Sequence, residues 1–249
     1  MPSPLETGAL PEQIDRFRIE SVAATGGMSV VLRATDTVLE RPVAVKVLGG
    51  SLDVVARQRL VREAKHLASL QHPNVVEVYD AGESGDLFYV AMRWVDGPDL
   101  EQEVASSGPL PLDRAATIVE EVAGALDAAH ARGLIHRDVK PANVLLCRED
   151  GHALLADFGI TTAEGTPGLT ASGEIVATAD YAAPEQIEGQ AVDARTDVYA
   201  LGGVAFRVLT GSVPTLATER SRGSGRTSTS RRRPSASCAP RSRRPPTPL

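Results

Sequence analysis

The sequence predicts an α+β chain of two lobes, a strand-rich one followed by a helix-rich one. Three observations predict it. Up to Val47 the apolar residues are mostly β-branched and fall in short runs on either side of Gly26-Gly27, a strand pattern with a tight turn. Beyond residue 110 they recur at helical intervals, with Pro and Gly where helices start and stop. Between a helical stretch and a Leu-rich strand stands a polar run, His136 to Asn143, dense in residues that do chemistry.

Each element follows from local pattern. Residues 1–16 are Pro-rich and polar and read as a flexible leader. From Phe17 to Val47, Val22, Val30-Val31-Leu32 and Val43-Ala44-Val45 mark strands. Residues 53–71 read as a helix, with Val54, Val55, Leu60, Val61, Ala64, Leu67, Ala68 and Leu70 on its apolar face and His72-Pro73-Asn74 as its stop. Strands are expected at 75–79 and 87–95, with a turn at Asp96-Gly97. Pro111 suits the first helical position, where its missing N–H is not needed, and that helix runs to about Arg132 before Gly133. A last helix spans Asp193 to Thr210 and ends at Gly211.

The length, 249 residues, suits one large domain or two lobes. With 4% aromatic residues, the core must be built from Val, Leu and Ala. The net charge of −6 hides an asymmetry. Residues 219–249 hold nine Arg and one acidic residue, Glu219, which leaves about −14 on the preceding chain. That Arg/Ser/Pro-rich stretch cannot bury enough apolar surface to offset its ordering entropy, so residues 215–249 are expected to be a disordered tail. Cys147 and Cys238 form no metal-ligand spacing and are expected to be reduced thiols. Met1 to Leu10 shows no basic start and no apolar run, and no stretch approaches the roughly 20 apolar residues of a membrane span. A cytoplasmic location is the expectation.

The chemistry concentrates in His136-Arg137-Asp138-Val139-Lys140-Pro141-Ala142-Asn143, followed by Asp157-Phe158-Gly159. This is a base, a cation and two metal-ligating side chains at the spacing phosphoryl transfer needs. Asp138 can accept the proton of an attacking hydroxyl, Lys140 can sit on the γ-phosphate, and Asn143 and Asp157 can hold Mg²⁺ against ATP phosphates.

In order and spacing these residues match the catalytic loop and metal-binding turn of protein kinases, and the chain resembles a bacterial eukaryotic-like serine/threonine protein kinase from about Phe17 to Pro214. The resemblance implies a bilobal protein-kinase-like fold, with a small lobe at 17–95 and a large lobe at 96–214 that is incomplete at its C-terminal end. The change of character after Pro214 reads as a shift of reading frame, an idea that fails if no other frame of the DNA there encodes apolar helices. The resemblance also implies transfer of the ATP γ-phosphoryl group to Ser or Thr of a protein substrate, with self-association for autophosphorylation.

Roles carry over residue by residue. In the phosphate loop Ala24 stands at the first Gly position, Gly26 matches the second with Gly27 beside it, and Ser29 stands at the third. Lys46 resembles the lysine that binds the α- and β-phosphates, with Glu63 as its partner. Met92 falls at the gatekeeper position, and Arg93, Trp94 and Val95 supply hinge backbone groups to adenine. Val31, Ala44 and Leu145 line the adenine slot. His136 is structural and packs on Phe158, while Arg137 offers a partner to a phosphorylated activation segment. Thr170 and Ser172 are the phosphorylation candidates there, and Thr178 orients the acceptor beside Asp138 and Lys140. Ala183-Pro184-Glu185 closes the segment, and Asp197 braces the catalytic-loop backbone. The family's Arg partner for Glu185 lies in helices this sequence lacks, so Glu185 is expected to be unpaired at a cost on the order of 3–5 kcal/mol.

Two other readings compete. One is a truncated, inactive kinase-like module that binds nucleotide or protein without transfer. The other makes the Arg-rich tail a binder of nucleic acid or anionic membrane, marked by steep salt dependence. The tail has no aromatic residue for stacking bases, so nucleic acid is not the favoured partner.

Overall fold

A computed structural model describes residues 11–26, 29–48, 54–158 and 180–214, with backbone alone for 54–59. Six antiparallel strands form one sheet in the order β1-β2-β3-β4-β6-β5. They are β1 (Gln13–Ile14), β2 (Phe17–Thr25), β3 (Ser29–Asp36), β4 (Arg41–Leu48), β5 (Val78–Ser84) and β6 (Leu87–Arg93). Helix α1 (Val54–Ala68) connects β4 to β5 and lays Leu60, Ala64 and Leu67, one helical stripe, into the core.

Strand β4 shows how period-two patterning builds this lobe. Val43, Val45 and Val47 point to one face and join Phe17, Leu32 and Ala91 inside the curled sheet. Ala44 and Leu48 point to the other face, toward the helices. Lys46 lies on that second face, so a cation is carried into the cleft with only 8% of its surface exposed.

The expected flexible leader is corrected at its end. Gln13–Ile14 pairs with Arg18 and Phe17, and Ile14 is buried with Phe17 inside the sheet. A two-residue strand is too short for periodicity to reveal. Arg16, between β1 and β2, then reaches across to β3 and the edge strand β5, with Nε 3.2 Å from Asp36 Oδ2 and Nη1 2.7 Å from Asp80 Oδ2. Tyr89 Oη donates to Asp15 Oδ2 at 2.6 Å across the same seam. Burial pushes the Asp36 carboxyl up, but the Leu39 and Val38 N–H groups and Arg16 outweigh it and hold it below its ordinary value. A depressed carboxylate stabilises the fold above its unfolded pKa of about 4, and that contribution fades as pH falls below it. Asp36→Ala is expected to cost about 1–3 kcal/mol, read from the urea midpoint, and to flatten the acid limb of the stability profile. A wild-type midpoint and profile would contradict this role of Asp36.

The helical lobe holds α2 (Leu100–Ser107), α3 (Leu112–His130), a 3₁₀ turn (Pro141–Asn143), the hairpin β7 (Val144–Leu146) and β8 (Ala153–Leu155), α4 (Pro184–Ile187) and α5 (Ala194–Thr210). Helix α2 was not expected, because only Leu100 and Val104 of its eight residues are buried. The Asp99 side chain caps it by accepting from Gln102 N at 2.8 Å. Pro111 is the N-cap of α3, so the helix starts at Leu112, one residue later than expected. The α3 stripe of Ala115, Ile118, Val122, Ala125 and Ala129 packs in one core with Ala200, Leu201, Val204 and Val208 of α5. Helix α5 matches its expected span, capped by the Asp193 side chain and closed by left-handed Gly211.

One core runs through both lobes, joining Ala44, Met92 and Val95 to Leu146 and Leu155. The expected strand at 75–79 is displaced to 78–84. Residues 74–76 instead tie the lobes together, through Val76 N to Leu155 O at 2.9 Å and Leu155 N to Asn74 O at 2.8 Å. Gly97, in the expected turn, is required by space, since a Cβ there would lie 1.8 Å from the Leu146 carbonyl oxygen. Among the described residues no helix is long and apolar enough to cross a membrane.

Candidate active site

Lys46, Asp138, Lys140, Asn143 and Asp157 lie at the cleft between sheet and helices. Cross-strand register sets the upper wall. Ala24 pairs with Val31, Val31 with Lys46, and Ala44 with Met92, which places all five side chains on one face of the sheet. Val31, Trp94 and Leu145 pack around buried Ala44, Met92 and Val95. The Arg33 guanidinium lies 5.1 Å from the centroid of the Trp94 ring. The Arg93 N–H is donated to Glu77 O at 2.9 Å and so is not available to a hinge ligand. Gly26 N donates to Ser29 O at 2.7 Å and closes the loop between β2 and β3. Gly27, Thr170, Ser172 and Thr178 lie outside the described residues.

Lys46, for which Glu63 was the expected partner, forms an ion pair with Asp157. Its Nζ lies 3.0 Å from Asp157 Oδ1. Asp157 has a left-handed backbone, φ 58°, which turns its carboxylate toward β4. Glu63 lines a cleft of about 200 Å³ with Leu67, Arg137 and Phe158.

The lower wall is the loop from His136 to Asn143. Asp138 Oδ2 accepts from Lys140 Nζ at 2.8 Å and from Asn143 Nδ2 at 3.0 Å. Asn143 Nδ2 also donates to the Asp138 carbonyl at 2.7 Å, which fixes the amide and leaves Oδ1 as its acceptor. Ala156 N donates to Asn143 O at 2.8 Å, tying the loop to the residue before Asp157. The oxygens of Asn143 and Asp157 are hard donors of the kind Mg²⁺ takes alongside water and phosphate, so the residues fit that ion.

His136 is fully buried and structural, as expected. Its Nδ1 accepts from Asp138 N at 3.2 Å, and its Nε2 lies 2.9 Å from the Ala156 carbonyl. A carbonyl only accepts, so the proton sits on Nε2 and the ring is neutral. The ring packs on Phe158, with centroids 4.6 Å apart. Burial pushes the imidazole pKa down, against the Ala156 carbonyl and the carboxylates of Asp197, Asp138 and Asp157. A buried neutral histidine stabilises the fold above its unfolded pKa of about 6.5, and this is lost as pH falls toward its folded value. Nitrogen NMR at pH 6 is expected to show His136 as the neutral Nε2–H tautomer; an imidazolium signal would contradict this.

Asp197 braces the loop from below, as expected. Its Oδ1 accepts from Arg137 N at 2.8 Å, and its Oδ2 accepts from His136 N at 2.8 Å and meets His130 Nε2 at 2.7 Å. Glu185 is corrected: it is half-buried and accepts from Thr196 Oγ1 at 2.7 Å, so a short hydroxyl supplies the partner expected from a distant Arg. Gln186, which sequence reasoning passed over, donates from Nε2 to Arg137 O at 2.8 Å. A polar side chain directly after Ala183-Pro184-Glu185 was its only signal. The site as a whole can hold a polyanion between Lys46 and Lys140 and present a carboxylate to an incoming hydroxyl.

Comparison with known proteins places the chain in a family. A family model described as protein kinase domain matches residues 17–239, past the Pro214 limit expected above. Serine/threonine-protein kinase PknJ of Mycobacterium tuberculosis is 45% identical over 203 residues, covering 80% of this chain and 34% of that protein. Serine/threonine-protein kinase PknB of Mycobacterium leprae is 42% identical over 211 residues, 82% of this chain and 34% of that protein. The chain thus spans about a third of the length of these curated relatives. The crystal structure of a mutant Mycobacterium tuberculosis PknI kinase domain superposes with a TM-score of 0.68 at 36% identity, covering 83% of this chain and 79% of that one. The structure of Rad53 1-466 in complex with AMP-PNP gives 0.65 at 28% identity, covering 80% and 49%.

Proposed function

Because the chain belongs to the protein kinase family, we propose that it transfers the γ-phosphoryl group of ATP to serine or threonine hydroxyls of a protein substrate. The observation that carries this is the Asp138 carboxylate, held by Lys140 and Asn143 at 2.8 and 3.0 Å in a cleft that also holds the Lys46–Asp157 pair.

In this mechanism adenine lies against Val31, Ala44, Met92 and Leu145, and Trp94 and Val95 supply its backbone partners. Ala24, Gly26 and Gly27 cover the phosphates, and Lys46 binds them after its ion pair with Asp157 opens. Glu63 supports the phosphate side of the cleft from α1. Asn143 and Asp157 would hold Mg²⁺, which when bound offsets charge on the β- and γ-phosphates. Asp138 orients the acceptor hydroxyl and takes its proton as the oxygen attacks the γ-phosphorus in line with the leaving ADP oxygen. Lys140 offsets charge on the transferring group, and Thr178 positions the acceptor.

Residues 17–95, joined by β1 at Gln13–Ile14, act as the small lobe and 96–214 as the large lobe, with 215–249 beyond it. Thr170 and Ser172 are acceptors for autophosphorylation between two copies, and the chemistry takes place in the cytoplasm. Incubation with γ-labelled ATP, Mg²⁺ and a mixed peptide library, followed by phosphoamino-acid analysis, tests the reading. Phosphoserine and phosphothreonine are expected; phosphotyrosine alone would refute the acceptor assignment.

A further inference from the structure

We infer that Gln186 is a positioning residue for phosphoryl transfer, through which the Ala183-Pro184-Glu185 turn sets the orientation of Asp138. The inference rests on the reading of Asp138 as the base. Its evidence is one peptide group. The Arg137 carbonyl and the Asp138 N–H belong to the same planar unit, and each end is gripped by a different element. The carbonyl accepts from Gln186 Nε2 at 2.8 Å, and the N–H donates to His136 Nδ1 at 3.2 Å. A peptide plane held at both edges cannot rotate, and its rotation is what would swing the Asp138 side chain.

The preceding geometry makes this grip consequential. Arg137 has φ 67°, a left-handed conformation that a residue with a Cβ leaves unless held. Asp197 holds the Arg137 N–H at 2.8 Å, so α5 and α4 fasten the two sides of this residue. The Gln186 amide is itself fixed, because its Oε1 accepts from Ala183 N at 3.1 Å while Nε2 donates to Arg137. The same side chain therefore caps α4 and fastens the catalytic loop. Any shift of the chain entering Ala183 reaches the Asp138 peptide through one rigid amide.

Two variants of the full chain test this. Gln186→Met keeps length and neutrality but makes neither bond. Gln186→Glu keeps an acceptor for Ala183 N–H, loses the donor, and sets a charge against the Arg137 carbonyl. Hydrogen exchange of the Asp138 amide, read by NMR, reports the clamp without needing turnover, and the remaining amide signals report folding. In both variants exchange is expected to be about tenfold faster. In both, kcat is expected to fall about tenfold while KM for ATP stays within about twofold. Unchanged exchange overturns the inference, and so does faster exchange with wild-type kcat. Faster exchange in a protein whose wild type transfers nothing upholds the clamp, and the proposed activity is then what fails.

Discussion

Asp138→Asn is expected to lower phosphoryl transfer by about 10²–10⁴-fold while leaving ATP affinity unchanged. The reason is geometric. Lys140 Nζ and Asn143 Nδ2 both donate to Asp138 Oδ2, at 2.8 and 3.0 Å. An Asn side chain offers one carbonyl oxygen to the same two donors, so the loop keeps its shape. What it loses is a group that takes the hydroxyl proton. The phosphate-binding groups, Lys46 on β4 and the turn at Gly26, lie on the sheet and do not touch this side chain. Single-turnover rates beside an ATP titration separate the two effects. Equal rates in variant and wild type would refute the assigned role, and a matching loss of ATP affinity would show that the substitution disturbed the cleft instead.

Asp197→Ala is expected to be strongly destabilising, by about 3–5 kcal/mol. Asp197 is 1% exposed and takes three donors, the His136 and Arg137 N–H groups and His130 Nε2. Its removal strands the buried His136 N–H and leaves the half-buried Arg137 N–H and His130 Nε2 without their partner, at about 1–3 kcal/mol for the buried donor. It also releases the left-handed Arg137, so activity falls further than folding alone explains. Asp197→Asn keeps one acceptor oxygen and is expected to cost less. Chemical denaturation of both variants checks the order, and a wild-type midpoint for Asp197→Ala would contradict the bracing role.

The catalytic loop was legible because its chemistry is local. His136 to Asn143 is a contiguous run, and neighbouring backbone fixes the contacts of Asp138, Lys140 and Asn143. Helix α5 was legible for the same reason, with Asp193 and Gly211 marking its ends. Partner choice over long separations was legible for Asp197 beneath the catalytic loop through the family resemblance, but not elsewhere. Lys46 pairs with Asp157 because the backbone conformation at Asp157, invisible in sequence, aims its carboxylate at β4. Glu185 finds Thr196, a residue eleven positions on that no pattern marks as a partner. Helix α2 escaped because two apolar residues in eight make no periodicity, and β1 because two residues make none at all. Gln186 escaped because an amide's two bonds depend on where two distant turns meet. The expectations for Gly27, Thr170, Ser172 and Thr178 fall on residues outside the described structure.

The central claim is that these side chains form a working transfer site. The direct test is intact mass of the full chain after incubation with ATP and Mg²⁺, alone and with a protein rich in Ser and Thr, beside Asp138→Asn. Phosphate added to the wild-type chain or to the acceptor protein, and to neither by the variant, is the predicted result. Folded wild-type chain that binds ATP yet adds phosphate to neither would contradict it and would leave a nucleotide-binding module in its place.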